Sequence, residues 1–134
     1  MKKDIPIPKV EGVTIAITKS TTELNETQWR VMLINKNEFD LENTLVVSKG
    51  YGLKDGEEQK TSTLRHFLET VPGNDVAQIE IITPEVFHLN NEYWVSYYVN
   101  GQVYDKKFVF VSESIKDENI TRIDELNEQG ILHS

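Results

Sequence analysis

The 134-residue chain contains no cysteine. That excludes disulfides, a thiolate nucleophile and cysteine-ligated zinc, and it fits a reducing compartment. No apolar run approaches the roughly 20 residues needed to span a bilayer. The start, Met1-Lys2-Lys3-Asp4-Ile5-Pro6-Ile7-Pro8, is charged but has no apolar stretch behind it, so it does not read as a secretory signal. Basic residues are also scarce, 14 against 22 acids, for a net charge of −8. A nucleic-acid partner is not expected, because backbone affinity comes from clustered Lys and Arg. The expectation is a cytoplasmic protein with no membrane partner.

What is present is period-two alternation, the mark of half-buried strands. It appears in seven segments: 13–18, 29–34, 41–49, 61–69, 77–82, 92–99 and 102–111. In the fifth, Ala77, Ile79 and Ile81 alternate with Gln78, Glu80 and Ile82. Turn residues separate the segments: Asn35-Lys36-Asn37, Gly50-Tyr51-Gly52 to Gly56, Pro72-Gly73-Asn74-Asp75, Asn90-Asn91 and Asn100-Gly101. No helical crossover is available between strands, so the pattern predicts an all-β sandwich of about seven strands. Residues 1–9, with prolines at alternate positions, form an extended strap; 10–111 form the sandwich; 112–134 form an acidic tail. The tail holds six acids and two bases, half of the net charge. Ile120, Ile123 and Leu126 lie three apart, and Gly130 is placed to end a short helix; an extended strap is the other option.

The strongest local signal is Asn100-Gly101 between two alternating runs. A type I′ turn needs positive φ at both central residues, which Asn and Gly tolerate best. A two-residue turn there fixes the register so that paired residue numbers sum to 201. Tyr97 then opposes Tyr104, and Tyr93 opposes Phe108, on one inward face with Val95. Lys106 falls on that same face, so a bulge near residues 105–107 or an end-of-sheet position is expected, to spare a buried unpaired lysine. The outward face carries Trp94, Tyr98 and Val103, flanked by Val46. An exposed patch of Trp and Tyr is typical of association surfaces, unless the strap or the tail covers it.

The order of strands and turns resembles an immunoglobulin-like β-sandwich, with a fibronectin-III-like order equally open. Residues 29–49 look like its second and third strands, 72–82 like the approach to its fifth, and 92–111 like its last two. The Cys-Trp-Cys core of antibody domains is absent. The stretches LVVSKGYG, KTSTLRHFL and residues 123–132 resemble a group of short uncharacterised bacterial proteins, some of them labelled phenylalanyl-tRNA synthetase alpha subunit. A class II synthetase catalytic domain needs a much longer chain and ATP-binding arginines; only Arg30 and Arg65 precede the tail here. The resemblance therefore implies a fold but no activity.

Catalytic and metal motifs are weak. Gly50-Tyr51-Gly52 with Gly56 is followed by Asp55, Glu57 and Glu58, which repel phosphate, so a flexible inter-strand loop is expected there. Neither the Asn35, Asn37, Asp40, Glu42 group nor the Asp55, Glu57, Glu58 group has EF-hand spacing. Histidines at 66, 88 and 133 form no local metal motif, and no nucleophile elbow is present. No cofactor and no metal are expected. Arg65-His66 is the one place where cationic chemistry interrupts an apolar strand; alternation puts Leu64, His66 and Leu68 on one face and Thr63, Arg65 and Phe67 on the other. Three functional readings follow: a protein-interaction module that pairs with itself or another protein through Trp94 and Tyr98; a small-ligand or carbohydrate-binding domain using the same aromatics; and an enzyme with a loop-built site at Arg65 and His66.

Overall fold

The computed structural model describes residues 8–133. The strap therefore lies almost wholly outside the described residues. Among the described residues, ten strands form two antiparallel sheets. The first sheet has the order β6 (Asp75–Ile82), β2 (Thr27–Asn35), β1 (Val13–Thr21), β10 (Glu128–His133), β9 (Thr121–Ile123). The second has β4 (Glu57–Lys60), β3 (Leu41–Lys54), β7 (Asn90–Val99), β8 (Gln102–Phe110), with β5 (Leu64–Val71) also paired to β3. The long β3 thus shares one edge between two partners, β5 along its first half and β4 along its last four residues.

The strands form where alternation demands them. Ile15, Ile17, Val31 and Leu33 of the first sheet meet Val46, Tyr93, Val95, Tyr97 and Phe108 of the second in one buried core. Burying a large apolar side chain is worth about 1.5–3 kcal/mol, so the inner faces hold the two sheets together. Trp29 closes one end, edge-on to Phe87 of the β6–β7 connection at 5.0 Å. The buried Asn35 amide organises the other end, donating to the carbonyls of Phe39 at 2.9 Å and Pro72 at 3.0 Å.

The Asn100-Gly101 hairpin has the expected register throughout, including Tyr97 opposite Tyr104 and Tyr93 opposite Phe108. Both turn residues have positive φ, 50° and 76°. No bulge interrupts β7–β8. Lys106 instead lies on the edge strand β8, opposite Val95, with its ammonium 4.9 Å from the Phe108 ring centroid. An edge strand lets the stem lie on apolar surface while the head stays near water.

Three expectations are corrected. Residues 50–56 are not a flexible loop: β3 runs through them to Lys54, and Asp55-Gly56 turns the chain into β4 with φ of 53° and 81°. Asp-Gly carries the same turn chemistry as Asn-Gly. The tail is not the short helix; it is extended, the other option, and is built into the first sheet. Its residues form β9, β10 and two single 3₁₀ turns, and β10 pairs with β1 from Ile15 to Lys19. Gly130 is a strand residue with a packing role, since a Cβ there would run into the Ile17 carbonyl. The acidic charge of the tail is answered within the molecule, by Lys19–Asp117, Arg30–Glu128 and Lys36–Glu125 ion pairs. Finally, β6 does not alternate regularly. The register slips by one between Val31 and Met32, which places Glu80 opposite Val31 and turns it inward. Ile81, in phase with the buried Ile79 in the sequence, is 53 % exposed.

Candidate functional site

The hairpin and β3 position the first candidate, the outer face of the second sheet. Directly opposed residues of antiparallel strands share a face, so the pairing defines rows across it. One row runs Arg65, Val47, Trp94, Lys107 across β5, β3, β7 and β8; the next runs Phe67, Leu45, Ser96, Asp105. Beyond them lie Lys49, Glu92, Val109 on one side and Glu42, Tyr98, Val103 on the other. Trp94, Tyr98 and Val103 are between 41 % and 44 % exposed, and Phe67 is 61 % exposed. The tail packs elsewhere: Ile123 joins Ala16 and Ile34 in a small cluster with Val76 and Leu126. Among the described residues, nothing of the tail covers Trp94.

Val46 does not belong to this face. It opposes Val95 and is fully buried. With Val95 facing inward, its partner must face inward too, and Val47 and Leu45 take the flank instead. Glu92 sits on the outer face yet is buried. Lys49 at 3.8 Å and Lys107 at 3.9 Å cover it, and the Tyr51 hydroxyl donates to it at 3.2 Å. Burial, and then the hydrogen bond to and charge of Glu92, raise the Tyr51 pKa. The Lys107 ammonium also lies 5.2 Å from the Trp94 ring centroid.

The second candidate lies between the sheets. Arg65 and His66, expected as a pair, are separated by the pleat. Arg65 is exposed on the outer face, while His66 turns inward. His66 Nε2 meets Glu80 Oε1 at 2.7 Å, and Ser48 Oγ donates to the same oxygen at 2.9 Å. The Tyr93 hydroxyl donates to Glu80 Oε2 at 3.1 Å. Burial, then the Glu80 charge and hydrogen bond, push the Tyr93 pKa well above its ordinary value, keeping the hydroxyl a donor. Ser48, Glu80 and Tyr93 all line a cavity of about 290 Å³.

Serine, histidine and a carboxylate thus meet in space, but in an order that does not activate serine. A hydrolytic triad needs histidine to take the serine proton; here both donate to one carboxylate oxygen, which lies between them. Among the described residues, no group of three or more His, Asp or Glu side chains is arranged to hold a metal, and no helix is long and apolar enough to cross a membrane.

Glu80 is the residue the sequence concealed. In regular alternation it faces solvent, and only the slip against β2 brings it inside. The one local hint is that Ile81 and Ile82 are both apolar, which strict alternation does not require.

The chain matches no known family model, no curated protein and no solved structure.

Proposed function

We propose that the protein is a non-enzymatic interaction module that associates through the outer face of its second sheet, and that its partner there is a second copy of the chain. The observation that carries this reading is the self-complementarity of the rows. Consider two copies face to face, related by a two-fold axis lying between the Trp94 row and the Ser96 row, across the strands. Residues on the same strand then meet across the axis. Lys107 faces Asp105 of the other copy, Lys49 faces Glu42, Val47 faces Leu45 and Val109 faces Val103. Arg65 faces Phe67, a cation over an aromatic ring. An isologous interface requires this matching of a patch with itself. The four rows hold three cations and three carboxylates, so the face is neutral in a chain of net charge −8.

A carbohydrate reading of the same aromatics is less well supported, because Lys107 already lies over the Trp94 ring where a sugar would stack. An enzymatic site joining Arg65 to His66 lacks support because the two side chains leave opposite faces of β5. The fold supports an immunoglobulin-like reading of the fibronectin-III kind: β1, β2 and β6 oppose β3, β5, β7 and β8, and β9 and β10 extend the first sheet beyond β1. A cytoplasmic setting is proposed on the absence of cysteine.

Light scattering during gel filtration tests the association. The full chain is expected to elute as a dimer, and Trp94→Glu with Tyr98→Lys as a folded monomer. A wild-type monomer at all concentrations sinks the self-association. A double variant that unfolds would show the face to be core rather than surface.

A further inference from the structure

We propose that the cavity between the sheets binds a small primary amine, its ammonium group on the Glu80 carboxylate and its hydrocarbon body against Leu64, Ile82 and Val86. The polar groups invoked here, Ser48, Glu80, His66 and Tyr93, are none of them in the rows of the association face, although Lys49 of that face also lines the cavity. Its volume, about 290 Å³, sits at the lower end of the range for ligand pockets. At about 30 Å³ for a water-sized group, it admits roughly ten non-hydrogen atoms. Leu64, Ile82 and Val86 give it an apolar wall, and Ser48, Glu80 and Tyr93 are among the polar residues that share the lining, a combination found in small-molecule sites.

The chemistry of that end selects the ligand. A carboxylate offers about four lone-pair positions on its two oxygens. On Oε1, both are taken, by His66 and Ser48. On Oε2, Tyr93 takes one and one remains. A single donor completes the set. The Glu80 side chain is only 14 % exposed, and a buried carboxylate gains most from a donor that carries positive charge. Ser48 and Tyr93 are neutral donors and His66 meets Oε1 alone, so among the described residues no cation sits on Oε2.

The same count rejects other classes. An anionic ligand meets the Glu80 charge. A guanidinium fork seeks both oxygens of a carboxylate at once, and Oε1 is already saturated. One ammonium on a short apolar body fits both halves of the cavity.

Isothermal titration calorimetry of the full chain near pH 7, where an alkyl amine is protonated, tests this with four probes: n-pentylamine, 1-pentanol, pentanoate and butylguanidine. Pentylamine is expected to bind with a millimolar or tighter Kd, and the other three at least about tenfold more weakly, the difference of one charge-assisted hydrogen bond. Glu80→Gln is expected to weaken pentylamine by about tenfold or more. Should that variant fail to fold, Leu64→Trp decides: Leu64 is 50 % exposed at the cavity rim, so an indole there fills the space without disturbing the Glu80 bonds. Loss of pentylamine binding in folded Leu64→Trp supports the site. Equal binding of pentylamine and pentanol, retention in Leu64→Trp, or no binding by wild type overturns it.

Discussion

The Tyr93 hydroxyl on β7 donates to Glu80 Oε2 on β6 at 3.1 Å, a polar link between the two sheets at the edge of an apolar core. Glu80 reaches it only because β6 slips by one residue against β2. The carboxylate also collects Ser48 and His66 of the second sheet, so one side chain gathers three donors.

That link makes stability depend on alkaline pH. Tyr93 stays protonated in the folded protein well above 10.0, its ordinary pKa. Tyr97 is pushed up to about 12 by burial, with a contribution from neighbouring Tyr104. The unfolded chain loses those protons earlier. Stability is therefore fully present below about pH 10 and falls as pH rises through the folded-state values. Urea midpoints should hold steady to about pH 9 and then fall, less steeply in Tyr93→Phe. A midpoint unchanged to about pH 11.5 would contradict the raised values.

Gly101 at φ 76° has no heavy atom within 4 Å of where a Cβ would stand, so substitution there tests conformation without sterics. Gly101→Val should cost about 1–3 kcal/mol, because a β-branched residue resists the left-handed region. Gly101→Asn should cost less, since Asn tolerates positive φ. Thermal melts of the two variants give the comparison; equal melting temperatures would argue against a type I′ turn.

Gly130 tests the tail. A Cβ there meets the backbone of Ile17 and Thr18, which cannot move aside as a side chain does. Gly130→Ala should cost about 1–3 kcal/mol, as overpacking does. A chain ending at Ile120 loses β9 and β10, exposes the free edge of β1 and removes Ile131 from the core. Circular dichroism should show it largely unfolded. A cooperative melt close to that of the full chain would mean the last strands are dispensable.

Charge reversal tests the association face. Lys107→Glu would place like charges at Asp105 of the other copy, twice per two-fold dimer. Exposed pairs are worth about 0.2–1 kcal/mol each, so the dissociation constant should rise about two- to thirty-fold. Adding Asp105→Lys restores the pairing and should recover affinity. If the double variant dissociates as readily as the single one, the two-fold arrangement is wrong even if a dimer forms.

The seven strand segments and the partners of β7 and β8 were legible because their causes are local. Alternation sets each strand, and the Asn-Gly turn dictates which residues oppose one another, hence that Tyr93, Val95 and Tyr97 face inward and Trp94 and Tyr98 outward. The same logic covered Asp55-Gly56, where two nearby glycines drew attention to a loop instead of a turn. Val46 was misplaced because β3 pairs with β7 across a long connection, and nothing local tells which residue of β3 opposes Val95.

By itself the sequence determined an all-β chain, its main hairpin and the composition of the two faces of β7, because side-chain period and turn geometry act over a few residues. Tertiary structure alone decided the rest. The slip of β6 against β2 turned Glu80 inward, the last strand found β1 more than a hundred residues away in the chain, and the tail settled on the first sheet, leaving the outer face of the second clear of it. Each of these is a choice of partner between distant segments. Such a choice is made by whichever pairing buries the most apolar surface with its backbone hydrogen bonds satisfied, and no short stretch of residues contains that comparison.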